Sequence, residues 1–245
     1  MTEMPRSKRA KAMDEGDRIS SLPDELRRHV LSFLPARDTV RTSVLAPKWR
    51  HLWASARRLN VDAKGFSSQS SFVNDTVCLW ICHALRSNVE ELSVIDHDCN
   101  DISERVEYTE FFRLQHYPLT SSYLKKLHLC YVYISNRFLK TLFSGCPALE
   151  DLEMINCDIF YTDFTSATLK SLSIDYVHFP NPSIYDDLDY DIVINMLSLV
   201  SLHIGALLVG AALSLVDMQS LATASIYLDA FTYLMAAQFS VLFQT

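Results

Sequence analysis

Glycine is scarce in this chain of 245 residues: there are five. None of them builds a phosphate-cradling loop, because Gly205 and Gly210, which have the right separation, are followed by Ala211 and Ala212 where a lysine and a hydroxyl residue would be needed. CxxC pairs are missing as well. The six cysteines, Cys78, Cys82, Cys99, Cys130, Cys146 and Cys157, are scattered, and the opening MTEMPRSKRAKAMDEGD lacks the apolar core of a secretory signal. Together these features predict a reducing compartment, nucleus or cytoplasm. There is no nucleophile elbow and no metalloprotease helix, so no catalytic residue, cofactor or metal ligand is assigned. Cys78 and Cys82-His83 have helical spacing but no second ligand pair, and read as a helix face rather than a zinc site. Asp96-His97-Asp98 and Tyr185-Asp186-Asp187 read as polar loops. Charge is missing from Ile192 to Val216, a run long enough to cross a bilayer. It is interrupted by Asn195, Ser198, Ser201, His203 and Gly205, which predicts a strand followed by a buried helix and no membrane contact.

What the chain does have is apolar residues, at 49%, with 11% aromatic, enough for a substantial core in one or two domains. Its net charge of −7 is unevenly spread: residues 1–58 hold 13 Lys and Arg against 7 Asp and Glu, leaving 9 against 22 in the remainder. Residues 1–16 are expected to be a disordered basic tail. From Ser21 a serine able to cap, Pro23, and the acids Asp24 and Glu25 announce a helix carrying Leu22, Leu26, Val30, Phe33 and Leu34 at helical spacing, stopped by Pro35. Asp38 is placed to cap a second helix, Thr39 to Leu45, and Pro47 to open a third through Trp49, Leu52 and Trp53. Three helices in about forty residues cannot cover all their own apolar faces, so such a unit leans on a partner. Its arginines are interleaved with Asp24, Glu25 and Asp38 and form no stripe, which argues against nucleic acid.

The stretch LPDELRRHVLSFLPARDTVRTSVLAPKWRHLW closely resembles the F-box of plant F-box proteins with leucine-rich repeats. Leu22-Pro23, Leu34-Pro35, the run Asp38, Arg41, Ser43, Val44, and Trp49-Arg50-Leu52-Trp53 carry the resemblance. It implies a module, residues 17–55, that docks on a Skp-type adaptor and through it a cullin. By position, Leu22 and Pro23 would lead the contact, Leu26, Val30, Leu34 and Pro35 would follow from the first helix, and Val44, Leu45, Trp49, Leu52 and Trp53 would supply the rest of the interface and its support. Arg27 departs from the usual leucine; its stem is expected on apolar surface with its charge in water.

Beyond this unit a pattern apolar-x-x-apolar-x-apolar recurs, at Val89/Leu92/Val94, Leu124/Leu127/Leu129, Leu149/Leu152/Met154, Leu169/Leu172/Ile174 and Leu199/Leu202/Ile204. Weaker copies lie at Ala56/Leu59/Val61 and Leu221/Ala224/Ile226. This is the signature of leucine-rich repeats over residues 56–229, one short strand per copy with a return along the outer side. Helices are expected from about Phe72 to Arg86 and from Asn136 to Ser144, the second ended by Gly145 in a left-handed turn before Pro147. Cys146 and Cys157 also match the family's repeats, where they are buried as small hydrophobes. Strand alternation turns Glu91, Ser93, Lys126, His128, Asp151, Glu153, Ser171, Ser173, Ser201 and His203 onto an exposed face. From that face a client-binding set is assigned: Lys126, His128, Asp151, Glu153, Ser171, Ser173 and His203. Residues 230–245, uncharged and apolar, lack a polar cap and are expected to pack across the last repeat or promote aggregation. The family usually continues into a further module, so a shortened product is expected.

The predicted class is α+β to α/β: an N-terminal three-helix F-box followed by an irregular leucine-rich-repeat solenoid. The predicted function is that of a non-catalytic substrate receptor in a ubiquitin ligase, with a client protein held on the repeats. The alternative is a scaffold whose F-box, altered at Arg27, no longer engages an adaptor.

Overall fold

A computed structural model describes residues 21–42, 49, 52–62, 71–95, 112–113, 119–160, 163–175, 192–205, 213–227 and 241–244. In chain order it contains helices α1 (Asp24–Leu31) and α2 (Ala36–Arg41), a 3-10 turn (Trp53–Ser55), strand β1 (Arg58–Asp62) and helix α3 (Ser71–Arg86). There follow β2 (Glu91–Ile95), β3 (Phe112–Arg113), β4 (Lys126–Cys130), β5 (Val132–Ser135) and helix α4 (Asn136–Gly145). Then come β6 (Asp151–Ile155), β7 (Asp158–Phe160), β8 (Asp163–Thr165), β9 (Ser171–Asp175) and β10 (Ile192–Asn195). The last are β11 (Ser201–Ile204), β12 (Leu213–Val216), β13 (Thr223–Ile226) and β14 (Val241–Gln244).

Each leucine pattern of the sequence supplies one strand of a seven-stranded parallel sheet, in the order β1-β2-β4-β6-β9-β11-β13. The copies align in register: Leu59, Leu92, Leu127, Leu152, Leu172, Leu202 and Ala224 are successive Cα partners. The central residues of the first six copies are buried, and stacked burial of this kind holds repeats together because no single copy can enclose its own apolar face. The backbone repeats too. The Arg57 carbonyl accepts the N–H groups of both Glu90 and Glu91, at 2.8 and 3.0 Å, and the same fork recurs at the carbonyls of Glu90, Lys125, Glu150, Lys170 and Val200. In the turns before β4, β6 and β9 a short buried side chain closes the corner. The Ser121 hydroxyl accepts from the Tyr123 and Leu124 N–H groups, Ser166 accepts from Thr168 and Leu169, and Cys146 occupies the equivalent place before Leu149.

The outer side is built differently from the expectation of helical returns. Helices α3 and α4 are there, but two further parallel sheets line that side, one ordered β3-β5-β7 and one β14-β12-β10-β8. The uncharged run from Ile192 to Val216 contains three short strands, β10, β11 and β12, and among its described residues no helix; alternate residues Ile192, Ile194, Leu202, Ile204, Leu213 and Leu215 are buried. No helix among the described residues is long and apolar enough to cross a membrane. Residues 241–244, from the apolar tail, add β14 to the edge of the outer sheet beside β12.

Helix α4 begins where the Ser135 hydroxyl accepts the Phe138 N–H, and buries Phe138, Leu139 and Leu142. Gly145 does not enter the left-handed region; it is the final helical residue, and glycine is needed there for close approach. A Cβ at Gly145 would lie 2.7 Å from Thr120 Cγ2 and 2.8 Å from the Leu119 carbonyl oxygen. Left-handed backbone is found instead at Tyr131, Asn156 and Asp217, each just past a strand.

The cysteines divide. Cys146 and Cys157 are free and buried, with their thiols directed at the carbonyls of Leu119 and Leu129, each at 3.5 Å. Burial pushes the Cys146 thiol up to about 11, so its thiolate is rare at neutral pH. In the folded protein, iodoacetamide is expected to label Cys146 at least a hundredfold more slowly than a free thiol, and at a comparable rate after denaturation, as peptide mass spectrometry would measure. Cys130 is disulfide-bonded, its partner not among the described side chains. Cys99 and the loops at Asp96–Asp98 and Tyr185–Asp187 lie outside the described residues.

Candidate interaction surfaces

The N-terminal unit turns two faces of α1 to different uses. Inward, Leu31 packs with Trp49 and Leu52, and Leu34 leans on this small cluster. Arg27, expected to keep its charge in water, is instead 5% exposed, paired with Asp24 one turn earlier and with its guanidinium 5.9 Å over the Trp49 ring. A carboxylate at i−3 and an indole face make that burial tolerable for a cation. Both helices start directly after proline, with Pro23 and Pro35 at the cap positions, and Asp38, expected to cap the second helix, lies inside its first turn. The Thr39 hydroxyl donates to the carbonyls of Leu31 and Leu34, at 3.3 and 3.2 Å, which ties α2 to the end of α1.

Outward, Leu26, Val30 and Phe33 are 50, 42 and 65% exposed. Their spacing of four and three residues sets them in one stripe, with half-exposed Leu22 one turn before and the His29 ring edge-on to Phe33 at 4.9 Å. Phe33 was absent from the sequence-derived contact set, although its i+3 step from Val30 is enough to find it. The set itself divides. Leu22, Pro23, Leu26, Val30 and Pro35 retain exposed surface, while Trp49 and Leu52 are buried and can act only from beneath. Leu34 is largely turned toward the cluster, and Val44 and Leu45 lie outside the described residues. Trp53 has another neighbour, the His83 ring of α3, with centroids 4.4 Å apart. This contact, the bridge between Pro35 and Asn60, and the buried Ala36 in the same cluster as Leu59 and Val61 fasten the unit to the first repeat.

On the repeats, register converts the alternation of each strand into two straight rows. One runs Arg58, Glu91, Lys126, Asp151, Ser171, Ser201, Thr223; the other runs Asn60, Ser93, His128, Glu153, Ser173, His203, Ser225. All the sequence-assigned residues Lys126, His128, Asp151, Glu153, Ser171, Ser173 and His203 are on this face. An open hollow of about 340 Å³ lies over its first four strands, lined by Arg58, Asn60, Glu91, Lys126, His128 and Asp151 among others. Arg58 and Asn60 were missed in the sequence, yet they stand in the same phase of the weak first copy as Glu91 and Ser93 of the second. Within the hollow the Arg58 Nε donates to Glu91 at 2.6 Å, and His128 Nδ1 lies 2.7 Å from Glu153. Ser171, Ser173 and His203 lie beyond it, where the two rows carry hydroxyls and one imidazole but no fixed charge.

A third row sits one residue earlier, at the rim: Arg57, Glu90, Lys125, Glu150 and Lys170, alternating in sign. Glu90 meets Lys125 at 2.9 Å and Arg57 at 3.6 Å, and Glu150 meets Lys170 at 2.8 Å. The hydrogen bond from Lys125 holds the Glu90 carboxyl below the usual carboxylate range, and that from Lys170 does the same for Glu150. Among the described residues no group of His, Cys, Asp or Glu side chains is arranged to hold a metal ion.

Two family profiles match the chain. The F-box domain matches residues 19–60, and a profile described as FBD-associated F-box protein At5g56370, LRR repeats, matches residues 103–202. Among similar proteins, all from Arabidopsis thaliana, the putative F-box/LRR-repeat protein At3g18150 is 27% identical over 183 residues, covering 61% of this chain and 40% of its own. The F-box/FBD/LRR-repeat protein At5g22700 is 27% identical over 226 residues, covering 72% and 50%. The putative F-box/LRR-repeat protein At3g28410 is 30% identical over 185 residues, covering 58% and 38%. The chain thus spans half or less of the length of these relatives. The F-box match runs through the helical unit into β1, the repeat match covers β4, β6 and β9 and the first half of β11, and the chain belongs to the plant F-box proteins with leucine-rich repeats.

Proposed function

We propose that the protein is a substrate receptor of a Skp-cullin-F-box ubiquitin ligase, docking on the Skp-type adaptor through the outer stripe of α1 and holding a client on the polar rows of the repeat sheet. The observation that carries this reading is the exposure of Leu26 and Val30 on a helix whose opposite face is already packed, continued by Phe33 in the turn just past its end. Fully burying a side chain of this size is worth roughly 1.5–3 kcal/mol, so a partner that covers the stripe recovers free energy the chain cannot recover alone. Arg27, the reason to consider a scaffold without adaptor binding, points away from the stripe and leaves it unbroken. The receptor needs no chemistry of its own: it raises the local concentration of client lysines at the ubiquitin-charged enzyme.

Binding of the purified chain to a recombinant plant Skp-type adaptor, measured by calorimetry, tests this. Leu26→Asp and Val30→Asp together are expected to weaken the complex at least a hundredfold while leaving the circular dichroism unchanged, because neither side chain is in the core. Failure of the wild-type chain to bind at micromolar concentrations would return the scaffold reading.

A further inference from the structure

Fixed charge on the two outward rows is confined to the first four strands of the seven-stranded sheet. Along the first row it alternates, Arg58, Glu91, Lys126, Asp151, and then gives way to Ser171, Ser201 and Thr223. Most of these charges are already engaged. Arg58 is bound to Glu91, Glu153 meets His128, and the charges of the rim are paired among themselves. Lys126 and Asp151 are the exceptions: they are Cα partners on adjacent strands and both line the hollow, yet neither side chain makes an ion pair or a hydrogen bond among the described residues.

Neighbouring strands lie about 4.8 Å apart, so a lysine beside an aspartate has the reach to pair with it. An exposed pair of this kind adds little to stability, and leaving it unmade keeps both head groups open to a visitor. The alternation decides which visitor. A segment of one sign sets its charges against Glu91 and Asp151 or against Arg58 and Lys126, with a like charge one strand away. A segment that offers a carboxylate and a cation side by side meets an opposite charge at each. Head groups one strand apart are matched by residues three or four apart on a helix, where Cβ atoms are about 5–6 Å from each other. Alternate residues of an extended chain are farther apart, at roughly 6.5 Å.

We propose that the hollow is a charge-pair socket for a helical segment of the client, which sets an acidic side chain on Lys126 and a basic one on Asp151. The inference rests on the reading that the repeats hold a client, and it defines the recognised segment by its chemistry. Because β1 is bridged to the helical unit through Pro35 and Asn60, a client held there lies at the F-box end of the sheet.

Selection of a phage-displayed library of single helices, randomised on one face, against the full chain tests it. The expected winners carry an acid and a base three or four residues apart and bind more weakly as salt is raised. Lys126→Ala and Asp151→Ala are each expected to weaken a winning peptide at least tenfold in fluorescence anisotropy, with unchanged circular dichroism and unchanged adaptor binding. Lys126→Asp combined with Asp151→Lys is expected to lose the same peptide and, in a fresh selection, to choose peptides with the two charges in the opposite order. Winners of a single sign, winners without charge, or binding that survives both alanine variants overturn the proposal, as does a library that yields no binder. If such winners are lost instead with Ser173→Arg or His203→Ala, the repeats still hold clients and only the socket fails. Failure of the chain to bind the adaptor while charge-pair peptides bind normally would remove the ligase reading and leave the socket in place.

Discussion

A chain shortened to residues 56–245 is expected to lose its first repeat rather than release an intact solenoid. The F-box unit is the cover of β1: Ala36 is buried in the same cluster as Leu59 and Val61, Pro35 bridges to Asn60, and Trp53 lies on His83 of α3. Without these contacts the edge and apolar face of β1 meet water, and terminal repeats without a polar cover are poorly soluble. Soluble yield should drop several-fold, and the amides of Leu59 to Asp62 should exchange with solvent faster by orders of magnitude than in the full chain. Equal yield and equal protection would show that the helical unit is merely tethered. The same contacts mean that adaptor binding and client binding are not to be assigned by cutting the chain between them; point changes on exposed residues are the appropriate tools.

The second large effect is expected at the centre of the sheet. Leu152 is fully buried between its register partners Leu127 and Leu172. Truncation to alanine removes buried methyl groups and leaves a cavity that neighbouring repeats, fixed by their own ladders, cannot fill; such changes cost about 2–5 kcal/mol. For a domain of this size that corresponds to a fall in Tm of roughly 4–20 °C, at about 2–4 °C per kcal/mol. Leu26→Ala on the outer face of α1, half exposed, should stay within about 0.5 kcal/mol of wild type while weakening adaptor binding. Scanning calorimetry of the two variants separates core from contact. Equal losses would place Leu26 in the core.

The inner sheet was readable because it is a repeated local pattern: two buried residues bracketing an outward one, in seven copies whose order in the chain is their order in the sheet. The two polar rows follow from it, since a strand's alternation is fixed by covalent geometry. Even the weak last copy at Leu221, Ala224 and Ile226 marks a true strand, with its poor match reflecting its incomplete burial. The outer sheets were not readable. Strands such as Leu213–Val216 and Asp163–Thr165 have four and three residues, too few for alternation to stand out from chance, and they exist by pairing with residues twenty or more positions away in sequence. The run from Ile192 to Val216 therefore suggested a helix where backbone pairing between repeats makes strands.

The N-terminal unit was legible in its stripe and less so in its interior. Spacing put Leu22, Leu26, Val30 and Phe33 on one line, but nothing in the local sequence says that Trp49 would turn inward to receive the Arg27 guanidinium. That outcome depends on a ring twenty-two residues beyond Arg27 in the chain, a tertiary fact. The caps failed for a similar reason. Proline at the residue before each helix fixes φ and occupies the cap position itself, so the second helix starts two residues before Asp38.

The alternating rim of Arg57, Glu90, Lys125, Glu150 and Lys170 constrains how a chain of this kind can change its length. Excise the single copy bearing Lys125 and two glutamates become neighbours; excise two adjacent copies and opposite signs meet again. Loss of an adjacent pair of these copies therefore preserves the electrostatic match, while loss of the single copy bearing Glu90, Lys125 or Glu150 sets two like charges side by side.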